Sequence, residues 1–187
     1  MKTPVFITGN QGKVDEFSRI LGIPIKHQKL SVPEIQSLDV AEVAQHKARA
    51  AFESIQAPVI VEDTALGFTA LGGLPGPLLK WFEESLGHDG LCCLLDPYED
   101  KSAIASTAIA YFDGDTEHIF LGETVGSIAE APCGTGFGWD PIFIPAGSDK
   151  TWGEASRAEK DADSMRMKAL KKFHVWLDDA AKSASQG

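Results

Sequence analysis

Glu62 and Asp63 stand side by side, with Thr64 behind them, at the end of the apolar, β-branched run Val59-Ile60-Val61. A buried strand that finishes by presenting carboxylates at its tip reads this way, and such a cluster belongs on a rim rather than in a core. Near the start of the chain, Thr8-Gly9-Asn10-Gln11-Gly12-Lys13 separates the short apolar run Val5-Phe6-Ile7 from a helical pattern with Val14, Phe17 and Ile20 or Leu21 on one face, stopped by Gly22. Such a turn aims free backbone N–H groups and the positive end of a helix dipole at one point, and Lys13 adds a full charge there. A phosphate suits that point. The turn is not a Walker loop, which needs four residues between its glycines and a hydroxyl after its lysine; here two intervene and Val14 follows. A plain strand-to-helix turn with a surface lysine accounts for the same residues.

Leu71-Gly72-Gly73-Leu74-Pro75-Gly76-Pro77 puts three glycines and two prolines into seven residues, a backbone unsuited to helix or central strand that something must approach closely. Cys133-Gly134-Thr135-Gly136-Phe137-Gly138-Trp139-Asp140 holds two rings and a carboxylate among glycines without the GxGxxG spacing of dinucleotide-binding turns. Small residues around exposed rings suit a planar ligand on an aromatic face; a structural turn capped by core aromatics suits them as well. Two cations fall on apolar helix faces. Lys47 lies within the arc formed by Val43, Val40, Ala44, Ala51, Ile55 and Phe52, where its stem either snorkels to water or its ammonium meets a functional partner. Arg166 projects into the arc of Ala162, Met165, Ala169, Leu170, Phe173, Trp176 and Leu177, and must meet a carboxylate, a carbonyl or a ligand acceptor. Its place near a helix start favours a ligand-facing role over a structural ion pair.

The elements that must position these groups follow from periodicity and punctuation. A helix is expected from Asp39 to Ile55, a loose strand from Ile23 to Leu30, a strand over Pro141-Ile142-Phe143-Ile144-Pro145, and a hairpin of 101–112 and 116–125 about Asp113-Gly114-Asp115. The last helix is expected to begin near Asp161 or Asp163, with a frayed tail after Trp176. At 187 residues, 43% hydrophobic and 24% charged, the chain reads as one α/β domain over 1–187. A net charge of -10 without a basic stripe argues against nucleic acid. An acidic protein can still bind a small polyanion when a divalent cation sits between carboxylates and phosphates. Cys92, Cys93 and Cys133 have neither disulfide nor zinc spacing and read as buried thiols of a cytosolic protein; no segment approaches the length of a membrane span.

Taken in order, Thr8-Gly9-Asn10 to Lys13, Val61-Glu62-Asp63-Thr64, Ala70 to Pro77 with Lys80-Trp81-Phe82, Phe137-Gly138-Trp139-Asp140-Pro141 and Ala158-Glu159-Lys160 resemble the inosine triphosphate pyrophosphatase family, over residues 5 to about 176. The resemblance implies a long, mixed, twisted β-sheet flanked by helices, with two lobes around a central cleft, in a homodimer. It implies Mg²⁺-dependent hydrolysis of deaminated purine nucleoside triphosphates (ITP, dITP, XTP) to the monophosphate and pyrophosphate. Carried across by position, Thr8, Gly9, Asn10, Gln11, Gly12 and Lys13 would cradle the triphosphate, joined by Lys47, Lys80 and Lys160. Glu34, in the Pro-Glu-Ile-Gln loop, would help hold Mg²⁺. Asp63 would be metal ligand or proton acceptor for the attacking water, with Glu62 beside it, and Lys13 would stabilise the departing pyrophosphate. Phe137 would stack on the base and Trp139, Asp140 and Arg166 would shape its pocket, with Thr64, Gly138 and Met165 also among the substrate-binding residues.

The family has Ser-His-Arg where this chain has Ser164-Met165-Arg166. A polar group at the base-binding end has become a thioether, which implies broadened or shifted base preference. An arginine aimed at the 6-position accepts a 6-oxo group and leaves an amino group unsatisfied, but it cannot by itself exclude guanine. A nucleotide-binding protein without turnover and a sibling enzyme for modified pyrimidine nucleotides are the competing readings. Leu78, Leu79, Trp81 and Phe82 offer the sequence's own hint of a dimer surface.

Overall fold

A computed structural model describes residues 3–22 and 24–184. The strands are β1 (Val5–Ile7), β2 (His27–Gln28), β3 (Val59–Phe68), β4 (Pro75–Gly76), β5 (Ser102–Phe112), β6 (Glu117–Ile128) and β7 (Phe143–Pro145). The helices are α1 (Gln11–Leu21), α2 (Val40–Ile55), α3 (Leu79–Cys93), α4 (Arg157–Asp163) and α5 (Met165–Ala184). The strands form one sheet in the order β2-β1-β3-β5-β6-β7, with β4 added on β3. β1 is parallel to both its neighbours, and the other pairings are antiparallel. The sheet is therefore mixed and flanked by helices, as expected.

Local chemistry sets the helix ends. The Asn10 side chain accepts from the Lys13 N–H to cap α1, and Gly22 ends the helix in the left-handed region at φ 67°. Asp39 caps α2 by accepting from the Ala41 and Glu42 N–H groups. Period-2 alternation in β3 then divides the core between two faces. Ile60 packs with Phe6, Phe17, Ile109 and Phe173 beneath α1 and α5, while Val59 and Val61 pack with Ala44, Ala48 and Ala51 of α2. Towards the other end of β3, Leu66 and Phe68 join Trp139, Phe143 and Trp152 in a third cluster.

Several expectations change. β3 does not stop at its carboxylates: it runs on to Phe68 because β5 pairs with it over its whole length, which puts Glu62 and Asp63 in mid-strand and buries Glu62. The strand expected over 23–30 shrinks to His27–Gln28, since β1 offers only Phe6 and Ile7 to pair with; Ile23 lies outside the described residues. What approaches the glycine-rich stretch is the protein itself. A Cβ on Gly67 of β3 would lie 2.9 Å from the Gly73 carbonyl oxygen, so the bare turn folds back onto a bare point of the strand. Only Phe143–Pro145 of the expected 141–145 strand is extended, because Asp140–Ile142 forms a 3-10 turn.

The final helical region is two helices broken at Ser164. The first is started by a capping box between Ser156 and Glu159, and the second continues through the tail expected to fray, as far as Ala184. Of the cysteines only Cys92 is buried; Cys93 and Cys133 are exposed. Leu79 is buried and Phe82 packs partly on the core, leaving Trp81 as the exposed ring of the expected dimer surface. Among the described residues no helix is long and apolar enough to cross a membrane.

Candidate active site

The site begins with a gap in the sheet. On the edge of β3 away from β5, β1 pairs with Val59 and Ile60, and β4 pairs with Leu66 and Gly67. The five residues between, 61–65, include Glu62, Asp63 and Thr64, so acids in the middle of a strand still meet a cleft. β1 ends at this gap. The chain leaves it through α1 on one face of the sheet and returns to β3 through α2 on the other, which makes the carboxyl end of β1 a topological switch point. Residues 8–13 form the turn there, tied by Thr8 N–H to the Gln28 carbonyl at 3.1 Å and by Asn10 N–H to Thr8 Oγ1 at 3.1 Å. Lys13 reaches from α1 to Glu62 Oε1 at 3.0 Å.

Because the pleat alternates, Glu62 and Asp63 point to opposite faces. On the α5 side, Arg166 donates from Nε to Glu62 Oε2 at 3.0 Å, from Nη2 to Glu62 Oε1 at 2.9 Å and from Nη1 to Glu16 Oε2 at 2.6 Å. Burial alone would push the Glu62 carboxyl up, but Arg166 and Lys13 outweigh it and hold it down at about 2. Two expectations meet competing partners here. Arg166, read as ligand-facing, commits three of its five N–H groups to Glu62 and Glu16 while its side chain lines both cavities described below. Glu62, grouped with Asp63 as a metal ligand, has both oxygens held by cations on the other face.

On the α2 side, Lys47 points inward from its helix and joins two carboxylates. Its Nζ lies 2.6 Å from Glu34 Oε1 and 3.3 Å and 3.2 Å from Asp63 Oδ1 and Oδ2. Only the Oδ1 contact is aligned as a hydrogen bond; Oδ2 is buried without a donor. Burial pushes the Asp63 carboxyl up, against the opposing pull of Lys47 and Lys13. Lys47 goes up despite its burial, because Asp63 and Glu34 favour the ammonium. Lys47 therefore does not snorkel to water.

Beyond the gap a cavity of about 310 Å³ lies between Lys13, Thr135, Phe137, Trp152, Lys160 and Arg166. It adjoins a small pocket of about 30 Å³ bounded by Thr64, Trp139, Ser164 and Met165. Phe137 is 55% exposed, a free ring face at the cavity wall, whereas Trp139 is buried against Phe143 and Trp152. Lys160 donates to both Asp140 oxygens, at 2.6 and 2.5 Å, and Asp140 also accepts from Phe137 N–H at 3.0 Å. This turn needs its glycines: a Cβ on Gly136 would sit 2.6 Å from that of Asp140, and Gly138 is left-handed at φ 56°.

The sequence-derived candidates fall into a group around Lys13 and the two cavities and a Glu34–Asp63–Lys47 cluster on the α2 side, and Lys80 belongs to neither. Lys80 is exposed on α3, 3.9 Å from Glu84 and over the Trp81 ring, and lines neither cavity. Glu16, Thr135, Trp152 and Arg157 line the larger cavity and were not singled out from the sequence. For Glu16 there was a signal: it follows Lys13 by three residues and so shares its helix face. Trp152 sits in a loop and carried none.

The chain matches the family model described as Ham1 family over residues 4–176. It is 49% identical over 181 residues to an inosine triphosphate pyrophosphatase of Ajellomyces capsulatus, covering 95% of this chain and 97% of that protein. A protein of the same name from Yarrowia lipolytica is 44% identical, covering 96% and 98%. Among solved structures, the Ham1 protein of Staphylococcus aureus superposes with a TM-score of 0.82 at 28% identity, covering 94% of this chain and 98% of its own. A nucleoside-triphosphatase / dITP/XTP pyrophosphatase from Mycobacterium abscessus gives 0.73 at 30% identity, covering 90% and 97%. With sheet order, cleft and motif residues on one side and near-complete alignments on the other, the conclusion is that this chain belongs to the Ham1 family.

Proposed function

We propose that the protein, acting as one domain over 1–187, hydrolyses deaminated purine nucleoside triphosphates such as ITP, dITP and XTP to the monophosphate and pyrophosphate. The observation that carries this reading is Asp63 within electrostatic reach of Lys13 at the α1 N-terminus while Lys47 joins it to Glu34. The N–H groups of Gly9, Gln11 and Gly12 and the Lys13 ammonium bind phosphate oxygens and stabilise charge on the leaving pyrophosphate. Asp63, its carboxyl lifted by burial, is suited to accept a proton from the attacking water. Phe137 offers its exposed face to the base.

Magnesium fits these residues. Glu34 and Asp63 supply hard oxygen donors already closed around one cation, and Asp63 Oδ2 is a buried acceptor without a hydrogen bond. Mg²⁺ commonly uses one or two carboxylates plus substrate phosphates, so a pair suffices although no cluster of three potential ligands occurs among the described residues. Bound there, Mg²⁺ supplies charge neutralisation between acidic protein and anionic substrate and acidifies nearby water. The test is direct: ITP with Mg²⁺ should give monophosphate and pyrophosphate, lost with EDTA or in Asp63→Asn. Binding without product would instead favour a silent nucleotide-binding protein.

A shifted base preference has its own support. Met165 is buried at the wall of the small pocket, while three of the five Arg166 N–H groups are taken by Glu62 and Glu16. The Met165 thioether brings the pocket no N–H or O–H donor, and Arg166 has only its two remaining N–H groups to offer. Preference for modified pyrimidine triphosphates in a substrate panel would count against purine readout. We assign the protein to the cytoplasm as a homodimer without nucleic-acid or membrane partners, with Trp81 in the exposed apolar surface available to a second copy.

A further inference from the structure

Lys47 stands where a cation shared by Glu34 and Asp63 has to stand. Its ammonium lies 2.6 Å from one Glu34 oxygen and within 3.3 Å of both Asp63 oxygens. The three groups come from separate parts of the chain: the loop before α2, α2 itself and β3. The ammonium is tethered, since Lys47 extends from a helix whose adjoining residues Ala44, Ala48 and Ala51 are fully buried against the sheet. Two carboxylates closing on one ammonium reproduce, with a single charge, the environment a hard divalent ion takes among oxygen ligands. The two cations cannot share it, because at such separation they repel strongly.

We infer that Lys47 is a built-in competitor for the divalent ion: it holds the Glu34–Asp63 pair closed in the free protein and is released to the phosphates when metal and triphosphate arrive together. The inference rests on the magnesium reading above and adds an order to it. Metal alone must displace a lysine that then has no partner; metal with triphosphate displaces one that gains a new anion. Binding of the two ligands is therefore positively coupled, and Lys47 carries the coupling.

Mn²⁺ titration followed by electron paramagnetic resonance tests this without turnover, on the full chain with and without inorganic triphosphate. Lys47→Met keeps the apolar stem and removes the charge. It should bind Mn²⁺ roughly five- to tenfold more tightly than the parent in the absence of triphosphate, the scale set by losing partly exposed ion pairs. Triphosphate should tighten Mn²⁺ binding less in Lys47→Met than in the parent, and Lys47→Arg should behave like the parent. Adding Glu34→Gln to Lys47→Met should reverse the gain, which ties it to this pair. Parent-like or weaker Mn²⁺ binding by folded Lys47→Met overturns the inference and leaves the metal reading standing. Failure of parent and variant alike to bind Mn²⁺, even with triphosphate, overturns both.

Discussion

Removing the Arg166 guanidinium should unmask the cost of burying Glu62. The Glu62 side chain has no solvent exposure, and its carboxyl sits at about 2 against an ordinary 4.5. That gap corresponds to about 3 kcal/mol of native stability at neutral pH. Because the folded-state value is the lower one, this contribution is complete above the ordinary carboxyl range and is lost as the pH falls towards 2. Arg166→Met leaves Glu62 with Lys13 alone and also frees Glu16, so we expect a loss of about 3–5 kcal/mol at pH 7. In the variant burial is opposed by Lys13 alone, the Glu62 carboxyl rises, and its protonation as the pH falls narrows the difference from the parent. Adding Glu62→Gln should recover part of the loss. Urea denaturation at both pH values, followed by circular dichroism, reads these differences. A loss below about 1 kcal/mol at pH 7, or one of equal size at pH 4, would refute the claim that this buried pairing holds the two helices to the strand.

Three more outcomes follow from the geometry. Asp63→Asn should lower kcat for ITP by about 10²–10⁴ with little change in fold, as read by pyrophosphate release and circular dichroism. Gly122→Ala should destabilise the protein by about 3 kcal/mol or more in thermal or urea denaturation, because the new Cβ would lie 1.9 Å from the Met165 carbonyl oxygen, in backbone that cannot move without shifting α5. Met165→His should raise the ratio of ITP to GTP turnover; an unchanged ratio would remove Met165 from base selection.

Much of the site was legible because it is written in local residue chemistry. The turn after β1 was visible as Thr8 to Lys13 between an apolar strand and an amphipathic helix, and the helix Asp39 to Ile55 as a run of positions sharing one face, with Lys47 anomalously among them. Glu34 was reached only through resemblance to a family, since nothing in Pro33-Glu34-Ile35-Gln36 itself indicates a partner. Local reading failed where neighbours decide. The apparent end of β3 at Glu62 rested on a change from apolar to acidic residues, a fair sign of a rim when only one strand is in view.

Residue type and the spacing of a few positions settle which segments turn, which faces seek a core and which side chains bring charge to the cleft. It takes the assembled sheet to show that β1 and β4 leave the 61–65 edge of β3 open, and that Glu62 and Asp63 serve its opposite faces. The same assembly shows that Arg166 is held by Glu62 and Glu16, 104 and 150 residues away along the chain. The reason is physical: an ion pair across such distances depends on where strands stop and helices cross, and no local pattern encodes where a distant neighbour ends.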